Sequence, residues 1–199
     1  MSVGEPYFEK LFADSDDPWA FRTRWYERRK RDLILASLPR QFYARAFEPA
    51  CANGELSVVL AHRTAELLCQ DLNPRAVALA QQRLAGCPQA SVASGALPED
   101  WPQGTFDLIV LGEIGYYLDP AQWQRVIEYA RACLRPEGGL LACHWLHPIE
   151  GCSQNGRQVH QIIEQHVGLP RMLRHEEKDF LLEYWGASPV DLDESSSLG

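Results

Sequence analysis

The feature that most constrains the fold is an almost uninterrupted apolar run at residues 106–111, which reads Phe-Asp-Leu-Ile-Val-Leu. A run this short and this apolar is typical of a β-strand that is covered on both faces. A second buried strand is predicted at residues 140–144, preceded by an amphipathic helix at 120–134 and a turn at 136–139. Because strands covered on both faces belong to sheets flanked by helices on either side, the sequence predicts an α/β fold.

The same alternation of strands and helices extends along the rest of the chain. One helix is predicted from Pro18, capped by Asp16 or Asp17 and ended by Pro39, and the sequence then alternates up to a C-terminal hairpin. This order predicts a doubly wound, seven-stranded, mostly parallel sheet with an antiparallel hairpin at its edge. The further strands are predicted at 46–48, 66–69 (ending in Asp71), 91–93, 171–175 and 180–185, and the further helices at 55–61, 74–84 and 156–167. We expect one domain at 18–187, an N-terminal extension at 1–17 and a flexible tail at 188–199.

The charge of the chain limits the classes of partner. The 199 residues carry 19 Lys and Arg against 27 Asp and Glu, a net charge of −8, which argues against nucleic-acid binding as the main role. Six of the cations nevertheless lie within residues 22–31. This basic cluster has three interpretations: a solvated helix face with Arg24 and Arg31 pointing outward, a contact to the carboxylate of a cofactor or to an anionic substrate, or nucleic-acid binding.

Cysteine usage and hydropathy indicate a soluble, cytoplasmic protein. The six cysteines include no Cys-x-x-Cys pair, and several lie within apolar runs, which favours reduced thiols in the core. The acidic N-terminus has no apolar stretch of the kind a signal peptide needs, and no apolar run approaches 18 residues. The histidines lack the spacing of metal ligands, so we expect no metal site.

Three segments are predicted to meet at the carboxyl edge of the sheet, where open parallel sheets bind ligands. They are residues 48–54 after the first strand, Asp71 after the second, and the apolar loop 95–98 after the third. Small residues in the first segment permit close approach of a ligand, and a carboxylate at Asp71 can accept both hydroxyls of a ribose. Since the first segment lacks the Gly-x-Gly-x-x-Gly pattern and a phosphate-binding lysine, these features predict a nucleoside without a diphosphate, such as S-adenosylmethionine.

At this point the sequence resembles a known family. The chain is similar to the class I S-adenosylmethionine-dependent methyltransferases, and among them to the nodulation protein S type (NodS-like). The residues that carry the resemblance are Trp19, Trp25 to Lys30, Leu38 to Arg40, Glu48 to Cys51, Gly54, Asp71, Trp101-Pro102, Phe106 to Leu108, Glu113, Tyr116 to Leu118, His144-Trp145 and His147-Pro148. It implies that S-adenosylmethionine is bound and released as S-adenosylhomocysteine, and that Trp25 and Tyr26 close over its methionine end. The other cofactor contacts that it implies are Glu48, Ala50, Cys51, Asn53, Gly54, Asp71, Leu72, Ala96, Leu97, Glu113 and Ile114.

The resemblance also implies a reaction. Such proteins methylate an amine, in the best-known case the free amino group of a deacetylated chito-oligosaccharide, so we expect an enzyme that methylates an amine of a small acceptor such as an amino sugar. Two alternatives stay open: an O-methyltransferase acting on a small metabolite, and a cofactor-binding partner protein without turnover. Ala50 and Ala52 stand where methyltransferases more commonly have glycine, and this departure favours the second alternative.

An amine must lose its proton before it attacks a methyl group, so a nearby base or a desolvating pocket is needed. The candidate catalytic residues are Glu113, His144 and Tyr117. Aromatic rings could stack on a sugar or shield a sulfonium, although the same side chains could serve ordinary packing. The candidates for the acceptor side are Tyr116, Tyr117, His144, Trp145, His147 and His160.

Overall fold

The computed structural model describes residues 4–186 and confirms the predicted α/β fold. Seven strands form one sheet in the order β3-β2-β1-β4-β5-β7-β6. The strands β1 to β5 are parallel, whereas β7 runs antiparallel to both of its neighbours, as the C-terminal hairpin predicts. The strands are β1 Tyr43–Pro49, β2 Thr64–Asp71, β3 Ala90–Ser94, β4 Phe106–Gly112, β5 Leu134–Trp145, β6 Arg171–Glu176 and β7 Phe180–Gly186.

Helices cover both faces of this sheet. Three of them, α2, α3 and α4, contribute to one hydrophobic core, and α5 and α6 contribute to the other. The helices are α1 Glu5–Asp14, α2 Trp25–Ala36, α3 Glu55–Ala61, α4 Pro74–Arg83, α5 Pro120–Cys133 and α6 Gly156–His166, and a short 3₁₀ helix spans Gly115–Tyr117. No helix within residues 4–186 has the length and apolar character needed to cross a membrane.

The central strand β4 shows why the apolar run is so informative. Leu108 and Val110 pack into one core, while Ile109 and Leu111 pack into the other. Since successive side chains of a strand point to opposite faces, a strand with helices on both faces needs apolar residues at successive positions.

Helix α2 begins later than the sequence predicts. The predicted helix starts at Pro18, but Ala20 has a left-handed backbone (φ 58°), and the helix starts only at Trp25. The Asp17 carboxylate accepts hydrogen bonds from the backbone N–H groups of Phe21 and Arg22, so it closes a separate turn before the helix. The helical pattern is correct from residue 25 onward.

Two further segments differ from the predicted elements. The predicted N-terminal extension contains α1, whose buried Phe12 packs against Ala76 and Leu79 of α4. Residues 136–139 are part of β5 instead of a free turn; β5 pairs with β4 at Leu134 and again from Gly139, with a shift in register between the two. The predicted tail at 188–199 lies outside the described residues.

Candidate active site

A cavity of about 430 Å³ lies at the carboxyl edge of the sheet. Its floor is formed by the residues that follow β1, β2, β3 and β4, and α1 and α2 contribute the side facing away from the sheet. The predicted site residues that line it are Glu48, Ala50, Cys51, Asn53, Asp71, Leu72, Leu97, Glu113, Ile114, Tyr116, Tyr117 and Trp145. The topology therefore brings together most of the side chains that are predicted to contact a ligand.

The loop after β1 adopts a backbone that usually requires glycine. Ala50 and Ala52 have φ angles of 54° and 48°, and Gly54 has a φ of 78°. A left-handed conformation costs an L-residue with a Cβ about 1–2 kcal/mol. The alanines thus preserve the shape of a glycine-type loop at the expense of some backbone strain, as is common at ligand sites.

Asp71 is held rigidly at the end of β2. Its Oδ2 accepts a hydrogen bond from the backbone N–H of Ala52 at 2.9 Å, and its Oδ1 accepts one from Asn73 at 2.9 Å. Burial raises the pKa of Asp71, and the backbone donors oppose that rise. A carboxylate has about four lone-pair sites, so both oxygens can still accept one hydroxyl each from a ligand.

Two buried amide oxygens on the cavity have no hydrogen-bond partner among the described residues. They are Oδ1 of Asn53 and Oε1 of Gln70, and both residues are almost fully buried. An unpaired buried oxygen costs free energy unless a ligand donates to it. Nearby Glu48 is also buried, and this burial raises its pKa well above the usual value. This end of the cavity therefore presents acceptors for the hydroxyl and amino groups of a ligand.

Glu113 also lines the cavity. It follows β4 with a left-handed backbone (φ 54°), and its Oε1 accepts a hydrogen bond from Lys30 Nζ at 2.6 Å. Its Oε2 accepts one from the backbone N–H of Trp145 at 3.0 Å and another from the hydroxyl of Tyr116. These three donors hold the Glu113 carboxylate in one orientation at the cavity.

Lys30 is buried between two carboxylates. Its Nζ lies 2.6 Å from Glu113 Oε1 and 3.0 Å from Glu27 Oε2. Burial disfavours the ammonium, but the two carboxylates outweigh that effect and raise the pKa of Lys30. The Glu27–Lys30–Glu113 cluster therefore combines two carboxylates with one ammonium group at the cavity.

Four residues assigned to the cofactor do not reach the cavity. Trp25 is 66% exposed, because the side of α2 that faces the cavity carries the residues at positions 27, 30, 31 and 34. The ring of Tyr26 packs edge-on against Trp145 and Phe180 instead. Gly54 and Ala96 also lie outside the cavity lining; they shape the loops on which its other residues lie.

The three candidate histidines are not at the cavity either. His144 and His160 are buried in the core, where their rings contact each other, and burial lowers the pKa of both. His147 lies near the surface, with its Nε2 2.8 Å from Asp179 Oδ1. None of these three side chains lines the cavity, so the geometry does not support the prediction that they contact the substrate or that His144 is the base. Within residues 4–186, no three His, Cys, Asp or Glu side chains form a group suited to a metal ion.

Several cavity residues lie in the segment that the sequence predicts to be an N-terminal extension followed by the start of a helix. They are aromatic, and the density of aromatic residues between positions 7 and 21 is the sequence signal that could have revealed them. Ring contacts join α1 to the 3₁₀ helix that follows β4; for example, Phe8 packs edge-on against Tyr117 with ring centroids 5.0 Å apart. The aromatic lining residues from this segment are Tyr7, Phe8, Phe12, Trp19 and Phe21.

Comparison with known proteins identifies the family of this chain. A sequence profile described as a methyltransferase domain matches residues 46–138. A proposed methyltransferase from Pseudomonas syringae is 50% identical, with a TM-score of 0.75 over 82% of this chain and 100% of that one. The N-methyltransferase NodS from Bradyrhizobium japonicum WM9, in complex with S-adenosylhomocysteine, is 26% identical, with a TM-score of 0.82 over 91% of this chain and 96% of that one. The chain belongs to the class I S-adenosylmethionine-dependent methyltransferases.

The chain is also similar to a curated nodulation protein. Nodulation protein S from Rhizobium tropici is 30% identical over 129 residues, which is 64% of this chain. The matched region spans 54% of that relative's length, so the match does not extend over the whole of it. The cavity of the methyltransferase fits the cofactor of its family, because Asp71 offers two oxygens to a ribose and Asn53 and Gln70 offer unpaired acceptors.

The basic cluster at residues 22–31 is divided among several roles in this methyltransferase. Arg29 forms a surface ion pair with Glu177, and Arg22 pairs with Glu55. Lys30 is buried in the cluster with Glu27 and Glu113, while the exposed Arg24 and the half-buried Arg31 contribute to the cavity lining. Arg31 donates to the backbone oxygen of Phe21 at 2.7 Å, and the guanidinium of Arg24 has no hydrogen-bond or ion-pair partner among residues 4–186.

Proposed function

We propose that this chain transfers the methyl group of S-adenosylmethionine to an amine of a small acceptor, and that amino sugars are among its acceptors. The proposal is supported by the likeness to the NodS N-methyltransferase over nearly the whole of both chains. The observation that carries it is the composition of the Glu27–Lys30–Glu113 cluster. With two carboxylates and one ammonium, the cluster has a net charge of −1 and favours a cationic acceptor.

The cofactor would lie across the loops after the first three strands. In this arrangement Asp71 accepts the two ribose hydroxyls, and Gly95 and Leu97 contact the adenine. Arg24 binds the methionine carboxylate, since its guanidinium is without a partner in the described part of the chain and lines the cavity. The bound cofactor supplies an electrophilic methyl group on a sulfonium.

The acceptor would enter beside Glu113, under the aromatic residues Tyr117 and Trp145. An amine reaches the protein mostly as an ammonium ion, so a carboxylate is needed to hold it and to take its proton. Glu27 suits this role better than Glu113, because Glu27 Oε1 has no hydrogen-bond partner among residues 4–186 whereas Glu113 already has three. Burial raises the pKa of Tyr117, so its hydroxyl stays protonated and can donate to the acceptor.

Desolvation supports the same reaction. The neutral nitrogen attacks the methyl carbon, the carbon–sulfur bond breaks, and its electron pair stays on the sulfur. Aromatic side chains around the cavity exclude water, which favours the neutral amine over the ammonium. A hydroxyl acceptor would gain nothing from the negative charge of the cluster, so this site favours nitrogen.

Turnover on a panel of amines, amino sugars, deacetylated chito-oligosaccharides and alcohols tests the proposal. The assay measures S-adenosylhomocysteine release with the purified chain and S-adenosylmethionine. We expect turnover with at least one amine and none with the matched alcohol; turnover on alcohols alone would overturn N-methylation. Tight binding of the cofactor with no turnover on any acceptor would favour a non-catalytic partner protein instead.

Glu27→Gln provides a matched test of the acceptor side. The amide keeps the shape of the side chain and a hydrogen bond near Lys30 but cannot take a proton. We expect the variant to bind S-adenosylhomocysteine with wild-type affinity and to lose about 100-fold in kcat on the amine. The control is Asp32→Gln, an exposed change on the same helix.

A further inference from the structure

A chain of hydrogen bonds runs through the core beneath the cavity. His144 Nε2 lies 3.1 Å from the backbone nitrogen of Gly115, and His144 Nδ1 lies 3.1 Å from His160 Nε2. His160 Nδ1 lies 2.6 Å from Glu183 Oε2. The three side chains come from β5, α6 and β7, and each is at most 3% exposed. The chain thus links the turn after β4 to the antiparallel edge of the sheet.

The geometry assigns the position of every proton in this series of hydrogen bonds. A backbone N–H can only donate, so His144 Nε2 carries a lone pair and, in a neutral ring, His144 Nδ1 carries the proton. That proton points to His160 Nε2, which therefore accepts, and His160 Nδ1–H donates to the carboxylate of Glu183. All the hydrogen bonds thus run in one direction, from Gly115 to Glu183.

The charge at the far end of the chain is balanced. Glu183 Oε1 accepts hydrogen bonds from Arg171 at 3.0 Å and from Arg174 at 2.6 Å. Although burial alone would raise the pKa of Glu183, the contacts with His160 and Arg174 lower it. A carboxylate held in its ionised form fixes the orientation of His160, and His160 in turn fixes His144.

The near end of the chain holds a turn that lines the cavity. Gly115 begins the 3₁₀ helix that carries Tyr116 and Tyr117, and Glu113 lies two residues earlier. Gln154 Nε2 donates to the carbonyl oxygens of Gly115 at 2.8 Å and Leu118 at 2.9 Å, so the polar groups of the turn are held from two sides. A Cβ at position 115 would lie 2.4 Å from Val159, which leaves the turn no room to shift toward α6.

We propose that His144 and His160 are positioning residues of the methyl-transfer site. Through one directed chain of hydrogen bonds anchored at Glu183, they fix Gly115 and with it the placement of Glu113, Tyr116 and Tyr117 on the cavity. Neither imidazole touches the cavity, so each acts only through the turn. The proposal rests on the cavity and not on the identity of the acceptor.

Nitrogen-15 NMR of the wild-type chain at pH 7.5 tests the proton assignment directly. We expect both rings to be neutral with the proton on Nδ1, and the exposed His62 serves as the reference signal. An Nε2–H tautomer or an imidazolium at either buried position would overturn the proposal. This measurement needs no substitution, so it stays decisive if a variant does not fold.

A pair of substitutions tests the effect on the site. In His144→Gln the amide oxygen can accept from Gly115 and the amide nitrogen can donate to His160, whereas His144→Leu can do neither. We expect the leucine variant to exchange the backbone amides of residues 113–118 about tenfold faster and to bind S-adenosylhomocysteine about tenfold more weakly. The glutamine variant should restore both. If the two variants behave alike in both measurements, the histidines only fill the core.

Discussion

The buried ammonium of Lys30 lies 2.6 Å from the carboxylate of Glu113, and this ion pair joins α2 to the end of β4. Lys30→Met removes the charge but keeps the aliphatic length, so it leaves Glu27 and Glu113 facing each other without a cation. Breaking a buried pair in this way costs about 3 kcal/mol. We expect that loss in the free energy of unfolding in urea, while the control, the exposed Lys178→Met, changes little. A loss below about 1 kcal/mol, the range of exposed ion pairs, would contradict the role of the cluster.

Asp71→Asn should weaken cofactor binding. The amide can keep one of the two backbone hydrogen bonds, but it loses the charge and one acceptor for the ribose. Hydrogen bonds to a charged group contribute about 1.5–3 kcal/mol, so calorimetry should report a 10- to 100-fold loss of S-adenosylhomocysteine affinity. The control is Asp32→Asn, which changes an exposed residue of α2 and should bind the ligand as the wild type does. Equal affinities for both variants would remove Asp71 from the cofactor site.

Arg24→Met should weaken only those ligands that carry a carboxylate. S-adenosylhomocysteine should lose about tenfold in affinity, because one charge-assisted contact disappears. The ligand 5′-methylthioadenosine lacks the amino-acid part and should bind both proteins alike. Arg28→Met, which changes an exposed arginine of the same helix, is the matched control. A parallel loss for both ligands would show that Arg24 acts on the fold of the cavity and not on the carboxylate.

The alanines of the first loop lead to a stability prediction. Glycine relieves the left-handed strain at Ala52 but makes the unfolded chain more flexible, and the two effects are of similar size, about 1 kcal/mol. Ala52→Gly should therefore leave the unfolding free energy nearly unchanged. Ala78→Gly lies at an exposed position within α4 and should lose about 1 kcal/mol. Equal losses at the two sites, measured by thermal unfolding, would mean that Ala52 stores no strain.

The two buried histidines predict a pH dependence of stability. Burial lowers the pKa of both, so below about pH 6.5 the unfolded chain binds protons that the folded chain does not. The free energy of unfolding should then fall with decreasing pH, by up to about 1.4 kcal/mol per pH unit for each imidazole. Urea unfolding between pH 7.5 and 5.0 measures this slope. His144→Gln removes one of the two groups and should flatten the slope; an unchanged slope would show that other groups dominate it.

The sequence by itself determined the order of the seven strands and of the helices α2 to α6, and the edge of the sheet at which the cavity lies. The run at 106–111 is apolar at successive positions because β4 has a core on each face, and local signals such as Asn73-Pro74 and Asp119-Pro120 mark real helix starts. Loops that follow parallel strands necessarily meet at one edge of the sheet, so the sequence alone predicts that Asp71 and the loop after β1 lie at the same edge. The start of α2 could not, because the helical pattern continues through Ala20 while its backbone turns left-handed.

Only the tertiary structure decided which side chains reach the cavity. His144 and Trp145 are neighbours at the end of β5, but successive residues of a strand point to opposite faces. His144 is therefore buried in the core, whereas Trp145 lines the cavity. Similarly, Lys30 of α2 is buried and Trp25 is exposed, because the side of the helix that faces the protein depends on packing across the whole core. The partners of Lys30 and of His144 are distant in sequence, at Glu113 and His160, and long-range pairs of this kind form only when the complete sheet brings them together.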